Sequence, residues 1–130
     1  MDVLILGGTQ FLGRHIAQTA LARGHAVTLF NRGRTHPDLF PELEKLRGDR
    51  DGDLAVLSGR HWDACVDTCG YVPRIVRASA EALAGAVGHY TFISSISVYD
   101  DGRTWDPQRN RPRAVAGDGA GARHRAAGER

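Results

Sequence analysis

The sequence predicts an α/β fold, a doubly wound parallel sheet, from two observations. Short apolar runs typical of strands alternate with helical repeats five times along the first hundred residues. Connections of that length imply parallel strands joined by right-handed crossovers. Polar or glycine-rich segments follow the strands, at the edge where open sheets of this kind bind ligands. These segments are 7–13, 31–34, 48–50, 67–71 and 94–99.

The first strand is the clearest element of the chain. Four apolar residues, 3–6, lead directly into Gly7 and Gly8, and a third glycine follows at Gly13. An apolar run of this kind is typical of a strand buried on both faces. Behind it, apolar residues repeat at helical spacing until Gly24 ends the pattern: Ile16, Ala17, Ala20 and Leu21. The sequence therefore predicts a strand, a glycine turn and a helix.

This arrangement suits the pyrophosphate of a dinucleotide. Gly7 would allow a tight turn, Gly8 would leave room for a phosphate, and Gly13 would let the helix pack close to the strand. The N–H groups at the start of the helix favour an anion, so the predicted contacts include Thr9, Gln10, Phe11 and Leu12. The usual spacing has a glycine where Gln10 stands. An ordinary glycine-rich turn without a ligand is the alternative.

Further elements follow in chain order. The expected strands are 26–30, a short one at 46–49, 63–68 and 90–94. A weak helical turn is expected over 39–46, and Asp53 is expected to cap a small helix that ends at Leu57. Pro73 suits the first turn of a helix. The predicted apolar face of that helix comprises Val76, Ser79, Ala80, Leu83, Ala84 and Val87.

Composition and charge bound the class of protein. The chain has 130 residues and a net charge of +2, which allows one domain of ordinary size. Residues 1–100 hold 10 Lys and Arg against 11 Asp and Glu, so the predicted folded part carries little charge to attract nucleic acid. Cys65 and Cys69 are expected to be buried thiols in a reducing cytoplasm. We expect no membrane association and no metal site.

The last thirty residues differ in composition from the rest. Residues 101–130 contain no Leu, Ile, Phe, Met, Tyr or Lys, and Ala, Gly and Arg supply 18 of the 30. Such a segment buries too little apolar surface to offset its ordering entropy. We therefore expect a truncated dinucleotide-binding domain over 1–100 and a disordered tail, one explanation of which is a shifted reading frame in a GC-rich gene.

The end of the second strand bears on the choice of cofactor. A protein that prefers NAD usually places an acid there to bind the ribose hydroxyls. This chain has Asn31, which does not repel a 2′-phosphate, followed by Arg32 and Arg34, which can pair with one. The sequence thus favours NADP, with NAD possible. A solvated arginine loop is the alternative.

Three motifs in order resemble the NAD-dependent epimerase/dehydratase family, the extended short-chain dehydrogenases/reductases. They are the Gly-Gly-Thr-x-Phe-Leu-Gly turn at 7–13, Gly-Asp-Arg at 48–50, and Phe-Ile-Ser-Ser-Ile-Ser-Val-Tyr at 92–99. The resemblance covers residues 1 to about 100 and is strongest to a branch that includes stem-loop RNA-binding relatives in plastids. It implies a Rossmann-like fold.

The resemblance also implies roles for particular residues. Asp49 matches the family's acid that contacts adenine, with Arg50 beside it, and a turn-forming role for Asp49 is the alternative. Thr68 and Gly70 lie where the family has small residues next to the cofactor. Ser95 matches the catalytic Ser/Thr, whose hydroxyl hydrogen-bonds the reacting oxygen of the substrate.

One catalytic element of the family is absent from this sequence. The family's base is a Tyr in a Tyr-x-x-x-Lys motif, and Lys45 is the only lysine here. We therefore expect an NAD(P)-binding part of a reductase, epimerase or dehydratase that is catalytically incomplete, with an unknown small-molecule substrate. A cofactor-sensing or RNA-binding module of the same fold is the second hypothesis, and a truncated product without function is the third.

Overall fold

Residues 1–95 are the part of the chain that the structure, a computed structural model, describes. Met1–Ser94 form one compact unit, and Ser95 begins a second. The predicted tail, 101–130, lies outside the described residues. In chain order the elements are β1 Asp2–Leu6, α1 Phe11–Ala22, β2 Ala26–Asn31, β3 Glu44–Arg47, a 3₁₀ helix Leu54–Leu57, β4 Trp62–Asp67, α2 Pro73–Leu83 and β5 Val87–Phe92.

The five strands form one parallel sheet in the order β3-β2-β1-β4-β5, which confirms the predicted fold class. β1 lies at the centre, and Leu4, Ile5 and Leu6 are fully buried. Successive side chains of a strand point to opposite faces, so a central strand with both faces covered is apolar throughout. This explains why β1 lacks the alternating pattern of a half-exposed strand.

Two apolar clusters cover the two faces of the sheet. One face packs Ile5 and Val27 with Ala17 of α1, and the loop after β2 adds Phe40. The other face packs Leu4 and Phe30 with Leu83 of α2. The sheet is thus covered by helices on both sides, as the doubly wound architecture requires.

The region before β3 differs from the prediction. The expected helical turn over 39–46 is wrong: 37–43 is turn and bend structure, and Glu44–Arg47 is a strand. Pairing of Leu46 with Phe30 of β2 places Leu46 in the core, so burial overrides the weak helical pattern. The third strand therefore begins two residues earlier than predicted and ends at Arg47.

The second helix confirms the predicted start and corrects the predicted face. Pro73 stands in the first turn, where its missing N–H is not needed. Ala80 lies on the exposed side of the helix, and because the helix ends at Leu83, Ala84 lies beyond it and Val87 belongs to β5. Ser79 is fully buried among the apolar residues because its hydroxyl donates to the Ile75 carbonyl oxygen at 3.1 Å.

The predicted small helix that ends at Leu57 is confirmed, with Asp53 at its N-cap position, but the predicted side-chain cap is wrong. Asp53 precedes the 3₁₀ helix but makes no side-chain cap bond to it. Its Oδ2 instead accepts a hydrogen bond from the Asp49 backbone N–H at 2.8 Å. The side chain therefore stabilises the turn that follows β3.

Cys65, in the middle of β4, gives a pH-dependent prediction. The residue is fully buried, and burial, followed by the nearby Asp67 charge, raises its pKa to about 12. An unfolded thiol ionises near pH 8.5, so above that pH the unfolded state binds fewer protons than the native state and stability falls. We expect the urea concentration at the unfolding midpoint to decrease as the pH is raised from about 8.5 to about 10.5. The decrease should be smaller in Cys65→Ala. An equal fall in both proteins would contradict this origin of the pH dependence.

Candidate functional site

A cleft of about 480 Å³ opens at the carboxyl ends of the strands. It lies where the strand order reverses between β1 and β4, which is the ligand-binding position in open α/β sheets. Thirteen of the fourteen residues predicted to bind a cofactor line it. They are Gly7, Gly8, Thr9, Gln10, Phe11, Leu12, Gly13, Asn31, Arg32, Arg34, Asp49, Arg50 and Thr68.

The glycine turn is shaped by packing inside the protein. Gly7 and Gly8 have φ of +102° and +92°, in the region that favours glycine. A Cβ on Gly8 would lie 2.6 Å from Cδ2 of Leu29, so it would point into the core and not toward a phosphate. The predicted reason for Gly8 is therefore wrong. A Cβ on Gly13 would lie 2.9 Å from the Gly8 nitrogen, so Gly13 does permit the close packing of α1, here against the turn itself.

The amino end of α1 is open for an anion. Gln10 stands at the N-cap without a side-chain cap bond, and the first turn contains no acid. The helix start therefore has unpaired backbone N–H groups and its full positive dipole at the cleft. Phe11 begins the helix with φ of +28° and a side chain that is 84% exposed at the rim.

Asn31 at the end of β2 connects two parts of the cleft wall. Its Nδ2 donates to the Gly7 carbonyl oxygen at 2.9 Å, and its Oδ1 accepts from the Gly33 backbone N–H at 2.9 Å. The Nη1 of Arg47 donates to the same Oδ1. The side chain is therefore occupied by protein partners, and Asn31 holds the glycine turn to the loop after β2.

Two cations of that loop have no carboxylate partner in the described part of the chain. Arg32 and Arg34 are exposed and line the cleft, and neither forms an ion pair with a carboxylate within residues 1–95. Burial raises the pKa of the Cys69 thiol beyond β4, and the hydrogen bond and charge of Arg50 and the charge of Arg32 partly offset that shift. Uncompensated arginines in a cleft favour an anionic ligand.

Asp49 and Arg50 line the cleft, but protein partners hold both side chains. Oδ1 of Asp49 accepts from the Asp51 backbone N–H at 2.9 Å, which is the turn contact that its alternative interpretation expects. The Arg50 guanidinium donates to both carboxylate oxygens of Asp67, at 2.6 and 2.7 Å, and to the Ser79 Oγ at 2.9 Å. The guanidinium of Arg50 is thus bound by two buried side chains of the core, Asp67 and Ser79.

Asp67 is the residue of this region whose role was not predicted from the sequence. It is fully buried, and besides Arg50 it accepts a 2.7 Å hydrogen bond from the Tyr90 hydroxyl and one from the Cys69 backbone N–H at 3.2 Å. Burial disfavours the Arg50 charge, but the hydrogen bond and charge of Asp67 raise the pKa of Arg50. Burial and Asp67 also raise the pKa of Tyr90. The sequence feature that could have indicated this role is the position of Asp67, an acid at the end of an otherwise largely apolar strand.

Thr68 and Gly70, beyond β4, have different surroundings. Thr68 donates from Oγ1 to the Leu6 carbonyl oxygen at 2.8 Å and so fixes the cleft floor to β1. A Cβ on Gly70 would lie 2.5 Å from both Phe92 and Val76. Gly70 is thus needed for the packing of α2 against β5, and its predicted place next to the cofactor stays a prediction. Ser95 is exposed and begins the second unit, and its catalytic role stays a prediction.

Within residues 1–95 no group of three or more His, Cys, Asp or Glu side chains is placed to hold a metal ion. No helix of this part is long and apolar enough to cross a membrane.

Comparisons with curated proteins identify two kinds of relative. The chain is 32% identical over 113 residues to chloroplast stem-loop binding protein of 41 kDa b from Arabidopsis thaliana, covering 75% of this chain and 30% of that protein. It is 33% identical over 78 residues to a 3 beta-hydroxysteroid dehydrogenase/Delta 5-->4-isomerase of Mycobacterium tuberculosis, covering 59% of this chain and 21% of that enzyme. The chain thus spans less than a third of these relatives. No family model matches it.

Solved structures share the fold. A UDP-glucose 4-epimerase from Thermotoga maritima gives a TM-score of 0.70 at 14% identity, over 88% of this chain and 45% of the epimerase. A short-chain dehydrogenase/reductase from Burkholderia multivorans with bound NADP gives 0.65 at 23% identity, over 81% of this chain and 63% of that chain. The described residues thus have the Rossmann-like fold of a nucleotide-binding half-domain.

Fold, motifs and relatives agree on the class. The strand order, the glycine turn and the cleft at the reversal of strand order define a dinucleotide-binding type of fold. The chain resembles the amino-terminal part of the extended short-chain dehydrogenases/reductases, the NAD-dependent epimerase/dehydratase family, as the three motifs predict.

The Arg50–Asp67 pair gives a stability prediction. Asp67→Asn leaves the largely buried guanidinium without its anion, and breaking such a pair costs about 3–5 kcal/mol. We expect urea denaturation to show a loss of that order. Asp51→Asn is the matched control, because it breaks a two-point arginine contact of the same form, to Arg74, on the surface. Equal losses in both variants would contradict a special role for the buried pair.

Proposed function

We propose that the chain binds a nicotinamide dinucleotide in the cleft at the carboxyl ends of β1, β2 and β4, with the pyrophosphate at the start of α1. The observation that carries the proposal is the uncapped, acid-free amino end of α1, which opens into the cleft at the reversal of strand order. Backbone N–H groups and a helix dipole are a general phosphate-binding device. A solved neighbour with this fold has bound NADP, and another contains UDP-glucose and NAD.

We further propose a preference for NADP over NAD. The support is local: no carboxylate stands at the end of β2, and Arg32 and Arg34 are both exposed at the rim without an ion-pair partner within residues 1–95. A 2′-phosphate supplies the missing anion, whereas the free ribose hydroxyls of NAD do not.

We also propose a cytoplasmic location. A reducing compartment is consistent with the two cysteines, which are free thiols.

The proposed reaction class is that of a reductase, epimerase or dehydratase, with Ser95 as the hydroxyl that hydrogen-bonds the substrate. The chain alone supplies no Tyr-x-x-x-Lys base. The dinucleotide carries the hydride when bound, and the residues of this chain orient it. Catalysis by these 130 residues is therefore proposed to be incomplete, and the substrate is left open.

RNA binding is the competing function, supported by the stem-loop binding relative and by the exposed arginines. Both hypotheses use the same cations, so a competition experiment separates them. If NADP at saturating concentration displaces a labelled RNA stem-loop, the two share the cleft. If RNA binds tightly while no dinucleotide binds, the RNA hypothesis replaces the proposal.

Gln10 allows a test that separates binding from folding. Gln10→Asp places a good N-cap at α1, which supports the helix, and also puts a negative charge against the pyrophosphate. We expect an unchanged or higher Tm and a loss of NADP affinity of about tenfold, which is about 1.4 kcal/mol, by calorimetry. Gln10→Asn is the control, since it caps the helix without charge. Unchanged affinity in Gln10→Asp would place the cofactor elsewhere.

The choice of cofactor is tested at the loop after β2. Arg34→Ala and Arg32→Ala each remove one candidate partner of the 2′-phosphate, and a charged hydrogen bond contributes about 1.5–3 kcal/mol. We expect calorimetry to show weaker NADP binding in at least one variant and a much smaller change for NAD. Arg23→Ala, at the far end of α1, is the control. Equal losses for NAD and NADP would remove the proposed preference.

A further inference from the structure

Arg47 at the end of β3 is a cation that neither the motifs nor the cleft lining single out. Its Nη1 donates to Oδ1 of Asn31, and its Nη2 donates to the Pro37 carbonyl oxygen at 3.3 Å. Both acceptors are neutral, and no carboxylate within residues 1–95 forms an ion pair with it. The charge of Arg47 is therefore not compensated by its hydrogen-bond partners.

The guanidinium of Arg47 also lies directly against the loop that carries the other two cations. A Cβ on Gly33 would lie 2.9 Å from Cζ and Nη1 of Arg47 and 3.0 Å from Nε. Gly33 has φ of +70°, a backbone conformation that favours glycine. The segment from Arg32 to Arg34 thus packs, at Gly33, against the guanidinium of a third arginine.

A lysine on β3 makes a second contact with this loop, at Pro37. Lys45, two residues before Arg47 on β3, donates to the same Pro37 carbonyl oxygen at 2.9 Å. Residues two apart on a strand point to one face, so both cations hold the loop from the same side. The loop after β2 is therefore attached to β3 at Pro37 and, through Asn31, to the glycine turn at Gly7.

Like charges held close together without a counter-charge repel one another, and an anion between them relieves the repulsion. We propose that Arg47 is a positioning residue of the 2′-phosphate site: it fixes Asn31 and the Arg32–Arg34 loop and adds a third positive charge beside Gly33. The inference rests on the proposed function, and it explains why an exposed arginine has only neutral hydrogen-bond partners within residues 1–95.

The test is calorimetric titration of the full chain with NADP, NAD and adenosine 2′,5′-bisphosphate. Arg47→Met keeps the aliphatic length and removes the charge and the donors. We expect affinity for NADP and for the bisphosphate to fall about tenfold or more, with NAD affinity changed less than about threefold. Arg47→Lys restores the charge but not both hydrogen bonds of the guanidinium, so its NADP-to-NAD affinity ratio should lie between the ratios of Arg47→Met and the parent chain.

Controls separate this role from a structural one. Arg23→Met removes an exposed arginine near the end of α1, about 18 Å from the start of the helix, and should leave all three affinities unchanged. Equal losses of NADP and NAD affinity in Arg47→Met, or no rescue by lysine, would show that Arg47 only supports the fold of the loop and would overturn the inference. If the parent chain binds no dinucleotide at all, the proposed function fails first and this inference fails with it.

Discussion

The site depends on the close packing of the turn that follows β1. Gly7 is opposed by Thr68, Gly8 by Leu29 and Gly13 by the backbone of Gly8, and a Cβ added to any of the three glycines would lie 2.6 to 2.9 Å from the opposing atom. A side chain at Gly7 would press on the segment after β4, one at Gly8 would press on β2, and one at Gly13 would push α1 away from the turn. This packing aims the free N–H groups of α1 at the cleft, so the same glycines that complete the core also create the anion site.

Two polar contacts extend this constraint across the sheet. Asn31 fixes the turn to the loop after β2, and the buried Asp67 fixes the segments after β3 and β4 through Arg50 and the Cys69 N–H. In both contacts a side chain that was predicted to bind the cofactor, Asn31 or Arg50, also binds protein partners. The cleft wall is thus organised by the protein before a ligand arrives, which lowers the ordering cost of binding.

The fold was predictable because the spacing of apolar residues and the positions of glycine and proline determine the secondary structure of nearby residues. The run before Gly7, the start at Pro73 and the alternation of strands and helices all followed from them. The roles of Arg50, Asn31 and Gly70 were not predictable, because their partners, Asp67, Arg47 and Phe92, lie between 16 and 22 positions away in sequence and meet them only through the sheet pairing. The wrong prediction of a helical turn before β3 has the same origin, since strand pairing buried Leu46.

The central claim is that the amino end of α1 and the loop after β2 together bind one dinucleotide. Titration of the ¹⁵N-labelled chain with NADP, followed by amide chemical shifts, tests it most directly. The account predicts saturable shifts, with a single dissociation constant, at Gly8, Leu12 and Arg34 and small shifts at residues of β5. Saturable shifts confined to β5, or no saturation at the turn while the protein remains folded, would contradict it.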